Sequence, residues 1–174
     1  MQSQRIKLLA HTPAHFRALL EGDDIYERAF AIRPAKGVSE SMTGPDVSES
    51  FRARLRDNDA ADPWRDGFGI VQLAEQRLIG LCSYVGPPDS EGIVEIAYFI
   101  APDFEGQGYA TEATKLLIAH ARASGQVRRL RAHTMPEENA STRILKKCEF
   151  ERRTELIDPV DGRIWRWERE IEVG

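Results

Sequence analysis

The chain holds 174 residues, 41% hydrophobic and 30% charged, with a formal net charge of −4. That length predicts one domain with a substantial core, and the composition excludes wholesale disorder. The mild acidic excess leaves no electrostatic footprint for nucleic-acid binding, and no apolar run approaches the roughly 20 residues that span a bilayer. The apolar stretch in MQSQRIKLLAHTP is too short for a secretory signal, so cytoplasmic residence is expected by default. The two cysteines, Cys82 and Cys148, and the four histidines have no metal-ligand spacing, so no metal is expected.

In chain order, residues 5–10 (RIKLLA) alternate as a first strand. Thr12-Pro13 signals a helix start, Phe16, Leu19 and Leu20 recur at helical spacing, and Gly22 ends the segment. Asp23 and Asp24 open a second short helix through Phe30. Residues 33–48, rich in Gly, Pro, Ser and Thr, read as a loop. A helix is predicted over 45–57, because Val47, Phe51 and Leu55 are four apart. Residues 68–74 and 77–85 are strand-like and joined by a tight turn at Glu75-Gln76, and residues 93–100 (IVEIAYFI) form a third strand.

A glycine-rich loop follows, and then a helix over 111–124 with Ala113, Leu117 and Ala121 on one face and Gly125 at its end. A short strand over 128–134, a short helix over 139–147 and a hairpin of 150–157 with 163–171, turning at Asp161-Gly162, close the chain. The order is mixed α+β, with no internal repeat and no interdomain linker.

The chemistry concentrates in Glu105-Gly106-Gln107-Gly108-Tyr109-Ala110, which leaves a strand and opens a helix. Glycines let main-chain N–H groups turn toward a ligand, and a helix start adds unpaired donors and partial positive charge. Together they suit a phosphate-like anion without a lysine. The loop lacks the Gly-Lys-Ser/Thr of a nucleoside-triphosphate site and the glycine spacing of a dinucleotide site. A plain strand-to-helix turn stays open as an alternative.

The segment VEIAYFIAPDFEGQGYATEATKLLIAHA resembles the core motif of the GNAT acetyltransferases, in particular the branch containing ribosomal-protein N-terminal acetyltransferases. Gly108 and Ala110 match the last two fixed positions of that family's Gln/Arg-x-x-Gly-x-Gly/Ala signature, while Glu105 departs from the first. Downstream, Pro136-Glu137-Glu138-Asn139-Ala140-Ser141 and Lys147-Cys148-Glu149-Phe150 resemble the branch's Asn-x-x-Ser helix and its Lys-x-Gly-Phe ending. Glu149 replaces the glycine, so the helix exit is expected to differ locally.

The resemblance implies a single GNAT-type domain over 1–174, with a mixed, mostly antiparallel sheet of six to seven strands flanked by helices and splayed central strands. Residues 68–157 would be the acetyl-CoA-binding core, and residues 1–67 and 158–174 would supply acceptor-site elements. It further implies transfer of an acetyl group from acetyl-CoA to a primary amine, at a protein N-terminus or on a small molecule. Cofactor contacts would come from the main chain of Phe99 and Ile100, from Glu105, Gly106, Gln107, Gly108, Tyr109, Ala110 and Thr111, and from Asn139 on the pantetheine arm. A homodimer is an expectation carried from relatives. A non-catalytic acyl-CoA-binding module and an enzyme using another acyl-CoA stay open.

A primary alkyl amine, with a pKa near ~10, is mostly protonated at neutral pH, so a base must act before it attacks a thioester. Glu95 sits in an apolar strand, on the face of Ile93, Ala97 and Phe99, and is the candidate base; a salt-bridge partner is the alternative. Ser141 is the candidate proton donor to the leaving thiolate, or else a helix cap. Tyr98 is a second candidate acid, or else a packing residue. His133, Trp165 and Trp167 read as structural, and Arg128, Arg129 and Arg131 as solvated charge, with a 3′-phosphate contact as the alternative.

Overall fold

A computed structural model describes residues 1–43, 55 and 60–172. The chain opens with β1 (Ile6–Ala10), α1 (Pro13–Glu21) and α2 (Asp23–Phe30). Pro13 at the first helical position has its φ already set for α1, and Gly22, at φ 136°, separates the two helices. The loop expected over 33–48 lies outside the described residues from 44 on, and its described part contains β2 (Arg33–Pro34) and the one-turn α3 (Val38–Ser41). A tertiary pairing makes β2, and a local cap with one buried anchor makes α3. β2 pairs with a later strand, Glu40 Oε2 accepts from Gly37 N–H at 2.9 Å, and Val38 is fully buried. The predicted helix over 45–57 lies outside the described residues except for Leu55, which is helical and buried.

A meander follows: β3 (Phe68–Gln72), β4 (Arg77–Tyr84) and β5 (Ile93–Ile100). After a 3₁₀ turn at Pro102–Phe104 come α4 (Tyr109–Ser124), β6 (Arg129–Thr134), α5 (Ala140–Lys147), β7 (Glu151–Asp158) and β8 (Gly162–Glu170). Among the described residues the sheet has eight strands in the order β1-β3-β4-β5-β6-β8-β7, with β2 beside β4. The expected mostly antiparallel sheet is present, and the added strand is β2. The two parallel contacts are β2–β4 and β5–β6.

Two cores sandwich this sheet. α4 and α5 cover one face, where Ala113, Leu117 and Ala121 meet Ile70, Ile79, Val94, Ile96, Leu130 and Trp167. Leu117 and Leu130 are fully buried, and truncating either to alanine would cost about 2–5 kcal/mol. On the other face, Phe16, Leu19, Tyr26 and Val38 pack on Val71, Leu78 and Ala101. This second core lies over β3 and β4. The same face of β5 and β6, bearing Glu95, Ala97, Arg131 and His133, is only partly buried or exposed.

β5 and β6 share a short register: Ile93 with Arg129, Val94 with Leu130, Glu95 with Arg131. Beyond it, β5 continues on β4 to Ile100, and β6 continues on β8 to Thr134. The two strands have therefore parted, and a wedge opens at the centre of the sheet with Glu95 at its apex.

Candidate active site

Strand alternation decides which main-chain groups face the wedge. Val85 N–H donates to Glu95 C=O at 2.8 Å and Ala101 N–H to Ile79 C=O at 2.8 Å, so the odd-numbered residues of β5 bond to β4. Ile96, Tyr98 and Ile100 consequently turn their N–H and C=O groups toward the wedge. Phe99 was expected to do the same, but its main chain pairs with Leu81, while its side chain packs on the second core. The correction follows from strand parity: neighbouring residues bond to opposite sides.

The loop after β5 ends at the start of α4. Gly106 and Gly108 have φ of 71° and 88°, the left-handed region where glycine carries no Cβ penalty. The helix starts at Tyr109, two residues before the expected Thr111, because Gly108 has already made the turn. The first intrahelical bond is Glu112 N–H to Gly108 C=O at 3.1 Å, and Gly108 has no side chain with which to cap. The N–H groups of Tyr109, Ala110 and Thr111 thus have no intrahelical acceptor. Glu105 and Gln107 are exposed, and Gln107 Nε2 donates to Asp103 C=O at 3.1 Å. Tyr109 is buried beneath Arg5, whose guanidinium lies 4.7 Å from the ring centroid. Ala110 and Thr111 are half-buried in the first turn.

Across the wedge, Asn139 caps α5: its Oδ1 accepts from Thr142 N–H at 3.1 Å, and Thr142 Oγ1 accepts from Asn139 N–H at 2.9 Å. Capping therefore falls to Asn139 and not to Ser141. Ser141 faces β5, where the Tyr98 hydroxyl donates to its carbonyl at 3.5 Å. Burial pushes the Tyr98 phenol up to about 12, with the Ser141 side chain pulling it partly back. Tyr98 therefore keeps its proton at neutral pH.

Glu95 is part-exposed, and its Oε1 lies 2.8 Å from His133 Nδ1. His133 Nε2 in turn accepts from Arg166 Nε at 3.2 Å. In the sequence His133 reads as structural, and Arg166 and Arg5 carry no motif that marks them. The first two become visible only once the β5–β6–β8 register is known. Arg129 pairs with Glu170 at 2.7 Å, and Arg131 reaches Glu168 Oε1 with two nitrogens at 3.0 and 2.8 Å, so these arginines are held on the sheet face. Trp167 is buried with its Nε1 donating to Thr134 Oγ1 at 3.0 Å, and Trp165 meets it edge to face at 6.4 Å.

Cys82 and Cys148 are free, buried thiols, pushed up by burial. Among the described residues no cluster of His, Cys, Asp or Glu is placed to hold a metal, and no helix is long and apolar enough to cross a membrane.

A wedge between parallel central strands, beside an uncapped helix start, is the hallmark of one fold class, and the family comparison agrees. The profile described as the acetyltransferase (GNAT) domain matches residues 5–151, and the chain belongs to this family. Among curated relatives, an uncharacterized N-acetyltransferase p20 of Bacillus licheniformis is 29% identical over 91 residues, 52% of this chain and 51% of that protein. A probable N-acetyltransferase YjcK of Bacillus subtilis is 33% identical over 86 residues, 48% of this chain and 46% of that protein. The chain thus spans about half the length of the curated relatives it matches.

Solved structures share the fold across nearly the whole chain. RimL, a ribosomal L7/L12 alpha-N-protein acetyltransferase in complex with coenzyme A, superposes with a TM-score of 0.69 at 16% identity, covering 99% of this chain and 97% of that one. The microcin C7 self-immunity acetyltransferase MccE, in complex with acetyl-CoA and AMP, gives 0.66 at 16% identity, covering 97% and 94%.

Proposed function

We propose that this chain transfers an acetyl group from acetyl-CoA to a primary amine by direct attack within a ternary complex. The observation that carries the reading is the adjacency of two features. One is the wedge beyond Glu95 and Arg131; the other is the start of α4, with three N–H groups lacking an intrahelical acceptor. An extended pantetheine arm pairs with the wedge-facing main chain of Tyr98 and Ile100 as an added strand would. Its diphosphate lies on the N–H groups of the loop from Gly106 to Thr111. The Asn139 amide NH₂, left over from capping, donates to the arm.

The acceptor enters over the open face of β5 and β6, between α1–α3 and the β7–β8 hairpin. Glu95 removes a proton from the ammonium group. The freed nitrogen attacks the thioester carbonyl carbon, and a wedge-facing N–H of β5 meets the oxyanion. The C–S bond then breaks, the sulfur takes a proton from Ser141 or Tyr98, and the nitrogen's surplus proton passes to that hydroxyl oxygen, while the proton on Glu95 leaves to solvent. The balance is one amide and one free thiol. RimL and MccE support the choice of donor, since their complexes hold coenzyme A and acetyl-CoA.

The test is calorimetry with coenzyme A, followed by thiol release from acetyl-CoA over a panel of peptide N-termini and small amines. Binding with turnover that Glu95→Gln abolishes is the expected result. Binding without turnover on any amine would instead make the chain an acyl-CoA-binding module. Absence of binding to coenzyme A and its acylated forms would overturn the reading.

A further inference from the structure

The base proposed above has a built partner chain on the sheet face. Glu95 and His133 lie on β5 and β6, two strands that share a register, and His133 is opposite Arg166 on β8. All three side chains project from the same face. His133 Nδ1 is 2.8 Å from Glu95 Oε1, and Arg166 Nε is 3.2 Å from His133 Nε2.

A guanidinium has only donors. His133 Nε2 must therefore present its lone pair to Arg166, and the ring proton must sit on Nδ1, where it is donated to the Glu95 carboxylate. The opposite tautomer would set N–H against N–H at Arg166 and a lone pair against a carboxylate oxygen at Glu95. Arg131 is level with Glu95 in the register and would be its natural ion-pair partner, but Glu168 engages two of its nitrogens. Glu95 is thereby left to the imidazole.

We propose that His133 and Arg166 are positioning residues for Glu95: Arg166 selects the Nδ1–H tautomer of His133, and that proton holds one carboxylate oxygen so that the other is presented to the acceptor amine. The inference rests on the reading of Glu95 as the base. Neither residue touches the reacting atoms. Their work is to fix the rotamer of a carboxylate on an open sheet face, where a lone glutamate would sample several orientations.

The first test is nitrogen-15 NMR of the histidine ring near neutral pH, read through two-bond proton couplings, in the intact protein. The Nδ1–H tautomer of His133 is expected in the wild type, and Arg166→Met is expected to lose it for a mixture. An Nε2–H tautomer in the wild type, or no change in Arg166→Met, overturns the proposal, and neither readout requires turnover.

The second test is kinetic. Asparagine places an amide N–H near the position of Nδ1, whereas leucine does not. His133→Leu is expected to lower kcat about tenfold with little change in KM for acetyl-CoA, and His133→Asn to restore most of it. Equal losses in both variants, or none in either, overturn the relay even where Glu95→Gln still abolishes turnover. If Glu95→Gln leaves turnover intact, it is the assignment of the base that fails.

Discussion

Arg5 donates from Nη1 to the Gln107 carbonyl at 3.1 Å, tying the residue before β1 to the loop that opens α4. Its Nε also donates to Glu112 Oε1 at 2.5 Å, and its guanidinium lies over Tyr109. The loop therefore gains a fixed cation beside its anion-seeking N–H groups, in a chain that has Glu105 where the family carries glutamine or arginine. Arg5 is half-exposed, so its ion pair adds little stability, at most about 1 kcal/mol. On the proposed function its larger effect falls on the diphosphate of coenzyme A. Arg5→Met is expected to weaken coenzyme A binding about five- to tenfold, as a charge-assisted contact worth about 1–1.4 kcal/mol would. Calorimetry reads this directly, and the loss should shrink at high salt.

On the proposed mechanism, Ser141 and Tyr98 compete for one role, protonation of the leaving sulfur. The Tyr98 hydroxyl is 3.5 Å from the Ser141 carbonyl, so the two meet across the wedge. Ser141 has no capping duty to lose, because Asn139 holds the helix start. Ser141→Ala is thus expected to leave the melting temperature nearly unchanged. It should lower kcat about a hundredfold, at the low end for general acid catalysis, with a small change in KM. Tyr98→Phe should cost less than tenfold. The reverse ranking would move the acid role to Tyr98.

Glu149 stands where the family carries glycine, and a different helix exit was expected. Glu149 leaves α5 at φ 61°, in the left-handed region that favours glycine. Its carboxylate pairs with Arg169 at 2.7 Å while the side chain stays 78% exposed, so the pair adds little. A non-glycine residue there costs on the order of 1 kcal/mol. Glu149→Ala keeps the strain and loses the pair, and Glu149→Gly loses both. The glycine variant is expected to be about 1 kcal/mol more stable than the alanine variant, about 2–4 °C in melting temperature.

Local signals were legible where one element carries them. β5 runs from Ile93 to Ile100 as read from its apolar run, and Gly125 closes α4 in the left-handed conformation. β2 and α3 escaped because neither is long enough to show periodicity: two residues pair with β4, and one turn is capped by Glu40 and anchored by buried Val38. The wedge was inferred from resemblance, and its apex at Glu95 is set by a register between strands separated by a whole helix. The Glu95–His133–Arg166 chain needs that register twice. Arg5 reaching Gln107 is equally invisible, because the contact joins residues 102 apart.

His11 gives the fold a dependence on acid. It is fully buried after β1, stacked on His15 with ring centroids 4.8 Å apart, and its Nε2 is 3.0 Å from the Tyr26 hydroxyl. Burial, with a smaller contribution from His15, lowers it from 6.5 to about 3. Between those values the unfolded chain binds a proton that the folded chain refuses. Stability is therefore unaffected by this group above about 6.5 and falls as pH drops through the window, by at most about 1.4 kcal/mol per pH unit. His11→Gln removes the titration while keeping a polar atom for Tyr26. Urea unfolding of both proteins at about pH 7.5 and about pH 5 isolates the group, since all other titrations, His15 included, are shared. The stability advantage of wild type over the variant should shrink by about 2 kcal/mol at the lower pH. An advantage equal at both pH values would mean that His11 takes up its proton in the folded state as readily as in the unfolded one.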